Sequence, residues 1–181
     1  MKSIILAILI SSLSFAQSDD ERQLYDKGQS YLEALNSDDK LYLPTNEDRE
    51  ITKSLKSIEK YCIDKAYSTF KTLVENYQGS ENHVIYAYHL AELSNNVTER
   101  IYYYQKVIEA SSKWKYYTIE SKKNLAFIYF EEGDADRACK FLEELPSVVE
   151  RRFQCGVERE RYESQLNILK EKCQKYLGKK K

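Results

Sequence analysis

The sequence predicts an all-α protein. Only five glycines and two prolines occur in 181 residues. Apolar side chains recur at helical spacing through most of the chain, which leaves strands little room. The periodicity places helices near 20–36, 48–60, 62–77, 81–94, 98–110, 115–132, 134–145 and 157–177.

Taken in order, the first helix carries the pair Gly28 and Tyr31. The second and third share one apolar stripe, Ile51, Leu55, Ile58, Cys62, Ala66, Phe70, Leu73 and Tyr77, at a spacing of about 3.5 residues with no breaker, so the pattern also fits one continuous helix. Gly79 follows as a stop signal. Thr98 reads as the N-cap of the fifth helix and Asp134 as that of the seventh, with Gly133 closing the sixth and Gly178 the last. The final helix places Tyr162, Leu166, Leu169, Cys173 and Tyr176 on one stripe, with charges elsewhere.

The stretch from Leu125 to Pro146 is the most specific. Leu125, Ala126 and Tyr129 are followed by Ala138, Leu142 and Pro146, with the tight-turn pair Gly133-Asp134 between them. This pattern resembles a tetratricopeptide repeat, in which a small residue at Ala126 lets two helices approach and Tyr129 and Leu142 fill the gap. Leu90-Ala91 repeats the spacing of Leu125-Ala126 at a distance close to the roughly 34-residue period of that family. Ala66, Phe70 and Leu73 before Tyr77-Gln78-Gly79-Ser80 resemble the second helix and exit turn of an earlier repeat, though without the usual exit Pro. Gly28 and Tyr31 resemble a first helix separated from its partner by an insertion at 37–47. The resemblance implies a helical-hairpin solenoid of about three degenerate repeats.

The organisation that follows has four parts: a signal segment at 1–16, an N-terminal helix with its insertion at 17–47, repeat-like hairpins at 48–146, and a capping helix with a basic tail at 147–181. Lys2, the apolar run from Ile4 to Leu13 and the small residue Ala16 match a secretory signal cleaved before Gln17. The run is far shorter than the 18 or so residues a membrane span needs. Bacterial secretory signals resemble it, so a periplasmic or secreted location is expected. About 165 residues then remain, enough for one domain. Residues 151–181 hold ten basic and four acidic side chains, while 17–60 hold eleven acidic and seven basic ones. Glu158, Glu160, Glu163 and Glu171 interleave with the basic set, which favours solvated helix faces over a nucleic-acid or membrane surface. The final helix holds too few heptads for a coiled coil, which needs about three or four. A cap fits it better, since an open solenoid leaves its last apolar face uncovered.

Four cysteines, Cys62, Cys139, Cys155 and Cys173, accompany an expected oxidising compartment. On one continuous helix Cys155 and Cys173 stand more than about 20 Å apart, beyond the roughly 7 Å reach of a disulfide. Cys139 with Cys155 or Cys173 would staple the last hairpin to the cap, and Cys62 reads as a buried stripe residue. No close cysteine pairs suggest a zinc site.

Enzymatic chemistry has no local signature. His83 and His89 are six residues apart and project from opposite helix faces, so they cannot ligate one metal as an i, i+4 pair would. There is no Gly-rich phosphate loop and no serine elbow. No catalytic residue, cofactor or metal site is therefore expected. The tetratricopeptide resemblance instead implies that first helices line a concave groove. Carried onto this chain, it assigns Tyr25 and Gln29, then Ile85, Tyr88 and Glu92, then Glu120, Lys123, Phe127, Phe130 and Glu131 to that surface. Phe127 stands where the family's chaperone-tail groove has Asn, which argues against that ligand. Mixed aromatic and charged lining suits a protein or peptide, since tyrosine, present 16 times, supplies rigid contact area. The expected function is a non-enzymatic scaffold or adaptor of the bacterial cell envelope. The second reading is a small periplasmic inhibitor, an immunity protein that neutralises a toxin.

Overall fold

The computed structural model describes residues 19–35, 43–48, 58–110, 115–146 and 156–179. The expected signal segment and its cleavage site at Ala16, most of the 37–47 insertion, the middle of the expected 48–60 helix, and Cys155 lie outside the described residues. Among those described, the regular structure is helical and no strand occurs. Besides a single helical turn at 46–48, the helices are α1 (19–35), α2 (Ile58–Asn76), α3 (His83–Leu93), α4 (Val97–Ala110), α5 (Lys115–Glu131), α6 (Ala135–Glu143) and α7 (Gly156–Lys179). α2 runs unbroken through Tyr61, so residues 58–60 continue into the helix expected from 62. The chain divides into two compact units, Met1–Leu93 and Ser94–Lys181.

The first unit is organised around Phe70. This ring is fully buried on α2, with Tyr25 of α1 edge-on at 6.3 Å and His89 of α3 tilted across it at 4.7 Å. α1 approaches so closely that a Cβ on Gly28 would sit 3.0 Å from Phe70 Cζ. Absence of a side chain at Gly28 is thus what admits the ring. Ala66 and Ala91, both fully buried, are small residues of α2 and α3, which pack together. The start of α1 is tied to the α2–α3 connection by Glu21, whose carboxylate accepts hydrogen bonds from Tyr86 Oη at 2.7 Å and from Ser80 Oγ.

In the second unit α4 packs on α5, α5 on α6, and α7 along α6 while also touching α5. The α5–α6 turn is set by local chemistry. Gly133 has φ +82°, its N–H donates to Phe130 O at 3.2 Å, and the Asp134 N–H donates to Tyr129 O at 2.7 Å. That pair of bonds is the Schellman arrangement, which needs a residue free to adopt a left-handed backbone. Asp134 then caps α6 by accepting from Arg137 N at 3.0 Å, so one residue ends the turn and starts the next helix. Ala126 and Ala138 are buried at this hairpin, and the rings of Tyr129 and Phe141 stack at 5.8 Å.

Two end signals fall differently from expectation. Asn96, not Thr98, caps α4, because its Oδ1 accepts from Glu99 N at 3.1 Å and Thr98 already lies in the first turn. Gly178 does not stop the last helix, which continues to Lys179. A glycine with negative φ in a helix costs only about 1 kcal/mol, too little to end one.

Cys139 of α6 and Cys173 of α7 are joined by a disulfide, with Cα atoms 5.7 Å apart. Tyr162, Leu166 and Leu169 of α7 are buried, the first two in a cluster with Leu145, Ile119 and Leu142. No helix among the described residues is long and apolar enough to cross a membrane.

Candidate functional site

The expected groove residues fall in both units, and each set is described within its own unit. In the first, Tyr25 and Gln29 are half-buried on α1 and Glu92 is exposed on α3. Ile85 and Tyr88 are buried, which corrects their expected place on an open lining. α3 is apolar on nearly every side, so residues counted onto a solvent face are interior. Gln29 Nε2 donates to His89 Nε2 at 3.1 Å, and the Tyr88 ring stands edge-on to the same imidazole at 5.9 Å.

In the second unit, Phe127 and Phe130 are half-buried on α5 and Glu131 is exposed. Glu120 and Lys123 are not open lining either. They form an i, i+3 ion pair at 2.5 Å, with side chains 11% and 7% exposed. Lys123 Nζ lies 5.6 Å from the ring of Tyr162, so α7 accounts for this burial. The same helix places Lys172 Nζ over Phe127 at 5.9 Å and over Phe130 at 5.7 Å. The Tyr162 hydroxyl is pushed up to about 12 by burial and by the nearby Glu120 charge. Tyr162 and Lys172 were assigned no place at the groove by sequence reasoning. Tyr162 carries one sequence signal, its place on the α7 stripe, which marks a helix that must cover something without saying what; Lys172 lies off that stripe and carries none.

Sequence reasoning also missed a buried carboxylate. Asp48 is held by three hydroxyls: Tyr61 Oη at 2.6 Å, Tyr31 Oη at 3.1 Å and Thr45 Oγ1 at 2.7 Å. Its own N–H donates back to Thr45 Oγ1 at 3.0 Å, so Thr45 caps the short helical turn 46–48. Burial pushes the carboxyl up. The hydrogen bonds from Tyr61, Thr45 and Tyr31, with the charge of Lys27, more than offset this and hold Asp48 below the ordinary carboxylate range. Burial, then the Asp48 interactions, raise both tyrosine hydroxyls in turn. Replacing Asp48 with Ala is expected to destabilise the protein by about 1 to 3 kcal/mol, since buried hydroxyls lose their acceptor. Urea titration at neutral pH checks this, with Tyr31→Phe giving a smaller loss.

His89 provides a second pH-sensitive position. Burial lowers its pKa from 6.5 to about 4, so the folded protein holds it neutral where the unfolded chain begins to protonate. Stability from this group is complete above pH 6.5 and falls as the pH drops toward 4, by up to about 3 kcal/mol. Asp48 adds a further loss at lower pH, below 3.8, as its depressed carboxyl protonates. Denaturant midpoints measured from pH 7 to pH 4 should fall for the native chain and show a clearly flatter slope for His89→Phe.

A cleft of about 700 Å³ lies on the first unit, bordered by Leu24, Lys27, Pro44 and Tyr77 among others. It is adjacent to Thr45 and so to the Asp48 clasp. Among the described residues, no group of three or more His, Cys, Asp or Glu side chains is placed to hold a metal ion.

No family model, curated protein or solved structure matches the chain. Its own geometry therefore carries the functional reading. The first unit presents hydroxyl, carboxylate and imidazole groups that are consumed by interior hydrogen bonds. The second presents two aromatic rings at a partly open face, bounded by Glu131 and crossed by Lys172.

Proposed function

We propose that this chain is a non-enzymatic protein-binding module of tetratricopeptide-like design, acting as a scaffold or adaptor in the bacterial cell envelope. The observation that carries it is the α5–α6 hairpin. Its small residues Ala126 and Ala138, its Gly133-Asp134 turn and its buried Tyr129 reproduce the parts from which such repeats are built. Its first helix leaves Phe127 and Phe130 half-exposed and Glu131 exposed. Aromatic side chains on a rigid helix make good binding anchors, since little entropy is lost on contact. Cleavage after Ala16 and export are part of this proposal.

The experiment is capture from a cell-envelope fraction with immobilised native chain and with Phe127→Ala, each with and without dithiothreitol. A protein retained by the native chain and lost with Phe127→Ala supports the reading. Identical retained sets on both matrices in both conditions contradict it. Nanomolar or tighter binding to a single secreted toxin would shift the assignment to the inhibitor reading, while a scaffold is expected in the micromolar range.

A further inference from the structure

α7 lies on the face of α5 that the binding-module reading assigns to ligands, and it lies there as a bound helix would. Tyr162 meets Lys123 and, ten residues on, Lys172 meets Phe127 and Phe130. The two helices therefore run in the same direction, with Tyr162, Leu166 and Leu169 forming the buried stripe between these contacts. At the far end Cys173 is bonded to Cys139 of α6.

This contact is not purely apolar. It buries the Glu120–Lys123 pair, and Gln165 Oε1 of α7 is buried without a hydrogen-bond partner among the described residues. Charged and polar groups of this kind regain hydration when a contact opens, which offsets part of the apolar loss. The Cys139–Cys173 bond fastens the closed arrangement covalently.

We propose that α7 is an internal ligand of the α5–α6 hairpin, that the external partner of this face is an amphipathic helix of the same pattern, and that the Cys139–Cys173 disulfide controls access. The pattern is an aromatic residue at i, leucines at i+4 and i+7, and a cation at i+10. The proposal rests on the binding-module reading and names its partner class. Opening requires a dithiol reductant. Two electrons and two protons pass from it to the sulfurs, leaving Cys139 and Cys173 as thiols and the reductant as its own disulfide. Released α7 remains part of the same chain and so competes with the partner intramolecularly.

The test uses a fluorescent synthetic peptide of residues 156–179 carrying Cys173→Ser. It is titrated into the full oxidised chain, the full chain with excess dithiothreitol, and the full-length Cys139→Ser variant. The peptide should bind the last two at least about tenfold more tightly than the oxidised chain, and Phe127→Ala in the Cys139→Ser background should weaken that binding. Hydrogen exchange on the same samples should show faster exchange at 160–177 after reduction, with 115–131 and 135–143 still protected. Slow exchange at 160–177 after reduction overturns disulfide control. Freed α7 with no peptide binding overturns the internal-ligand assignment, and loss of protection in α5 and α6 together with α7 overturns both by making α7 part of the hairpin's own fold. These outcomes are separable from failure of the binding-module reading, which shows as capture of no envelope protein that depends on Phe127.

Discussion

Replacing Phe70 with alanine is expected to destabilise the first unit by about 3 to 5 kcal/mol, the range for removing a fully buried aromatic side chain. The size follows from position. Phe70 touches α1 through Gly28 and Tyr25 and α3 through His89, so its loss leaves a cavity where three helices meet. The surrounding groups cannot close it cheaply, because Gly28 has no side chain to move inward. A second readout is specific to this arrangement: His89 loses part of its dry surroundings, and its pKa should rise from about 4 toward the ordinary value. Thermal or urea unfolding measures the first effect, and imidazole NMR titration the second. An unfolding midpoint close to that of the native chain would show that Phe70 is not the centre of this unit.

Breaking the Cys139–Cys173 bond by Cys139→Ser is expected to lower stability by about 4 kcal/mol when compared under oxidising conditions. The bond joins residues separated by 34 positions, and a closed loop of that length restricts the unfolded chain by about this amount in the chain-entropy description. The loss should be largest in the second unit. Dithiothreitol should produce the same shift in the native chain and none in the variant. Equal unfolding midpoints for oxidised and reduced native chain would contradict the assignment of this bond as a stabilising staple.

Much of the helical framework was legible because its signals are local. The α5–α6 turn shows this best: Gly133 supplies the left-handed residue and Asp134 the cap, two adjacent letters that require no knowledge of the rest of the chain. The start of α4 shows the limit, since Asn96 and Thr98 are both competent caps and only the backbone bond from Glu99 selects between them. Cysteine pairing was narrowed by helical rise alone, which set Cys155 against Cys173. Choosing Cys173 for Cys139 required knowing that α7 lies along α6.

The candidate site was less legible for the same reason. Glu120 and Lys123 carry charges that belong on a surface by composition, and they become interior through α7, more than thirty residues away in sequence. Ile85 and Tyr88 were displaced inward because α3 has no polar face to set its rotation. The Asp48 clasp draws hydroxyls from Tyr31, Thr45 and Tyr61. Only the Thr45 contact has a local signature, and the two tyrosines arrive through tertiary packing.

The central claim is that the α5 face binds a protein partner through aromatic anchors, and the most direct measurement is calorimetric titration of the captured partner into native chain and Phe127→Ala, beside circular-dichroism melts of both. The claim predicts a dissociation constant raised roughly 5- to 150-fold, the equivalent of about 1 to 3 kcal/mol for an interface anchor, with the melt little changed. A Phe127→Ala chain that melts early yet binds unchanged per folded molecule would make Phe127 a core residue and contradict the claim.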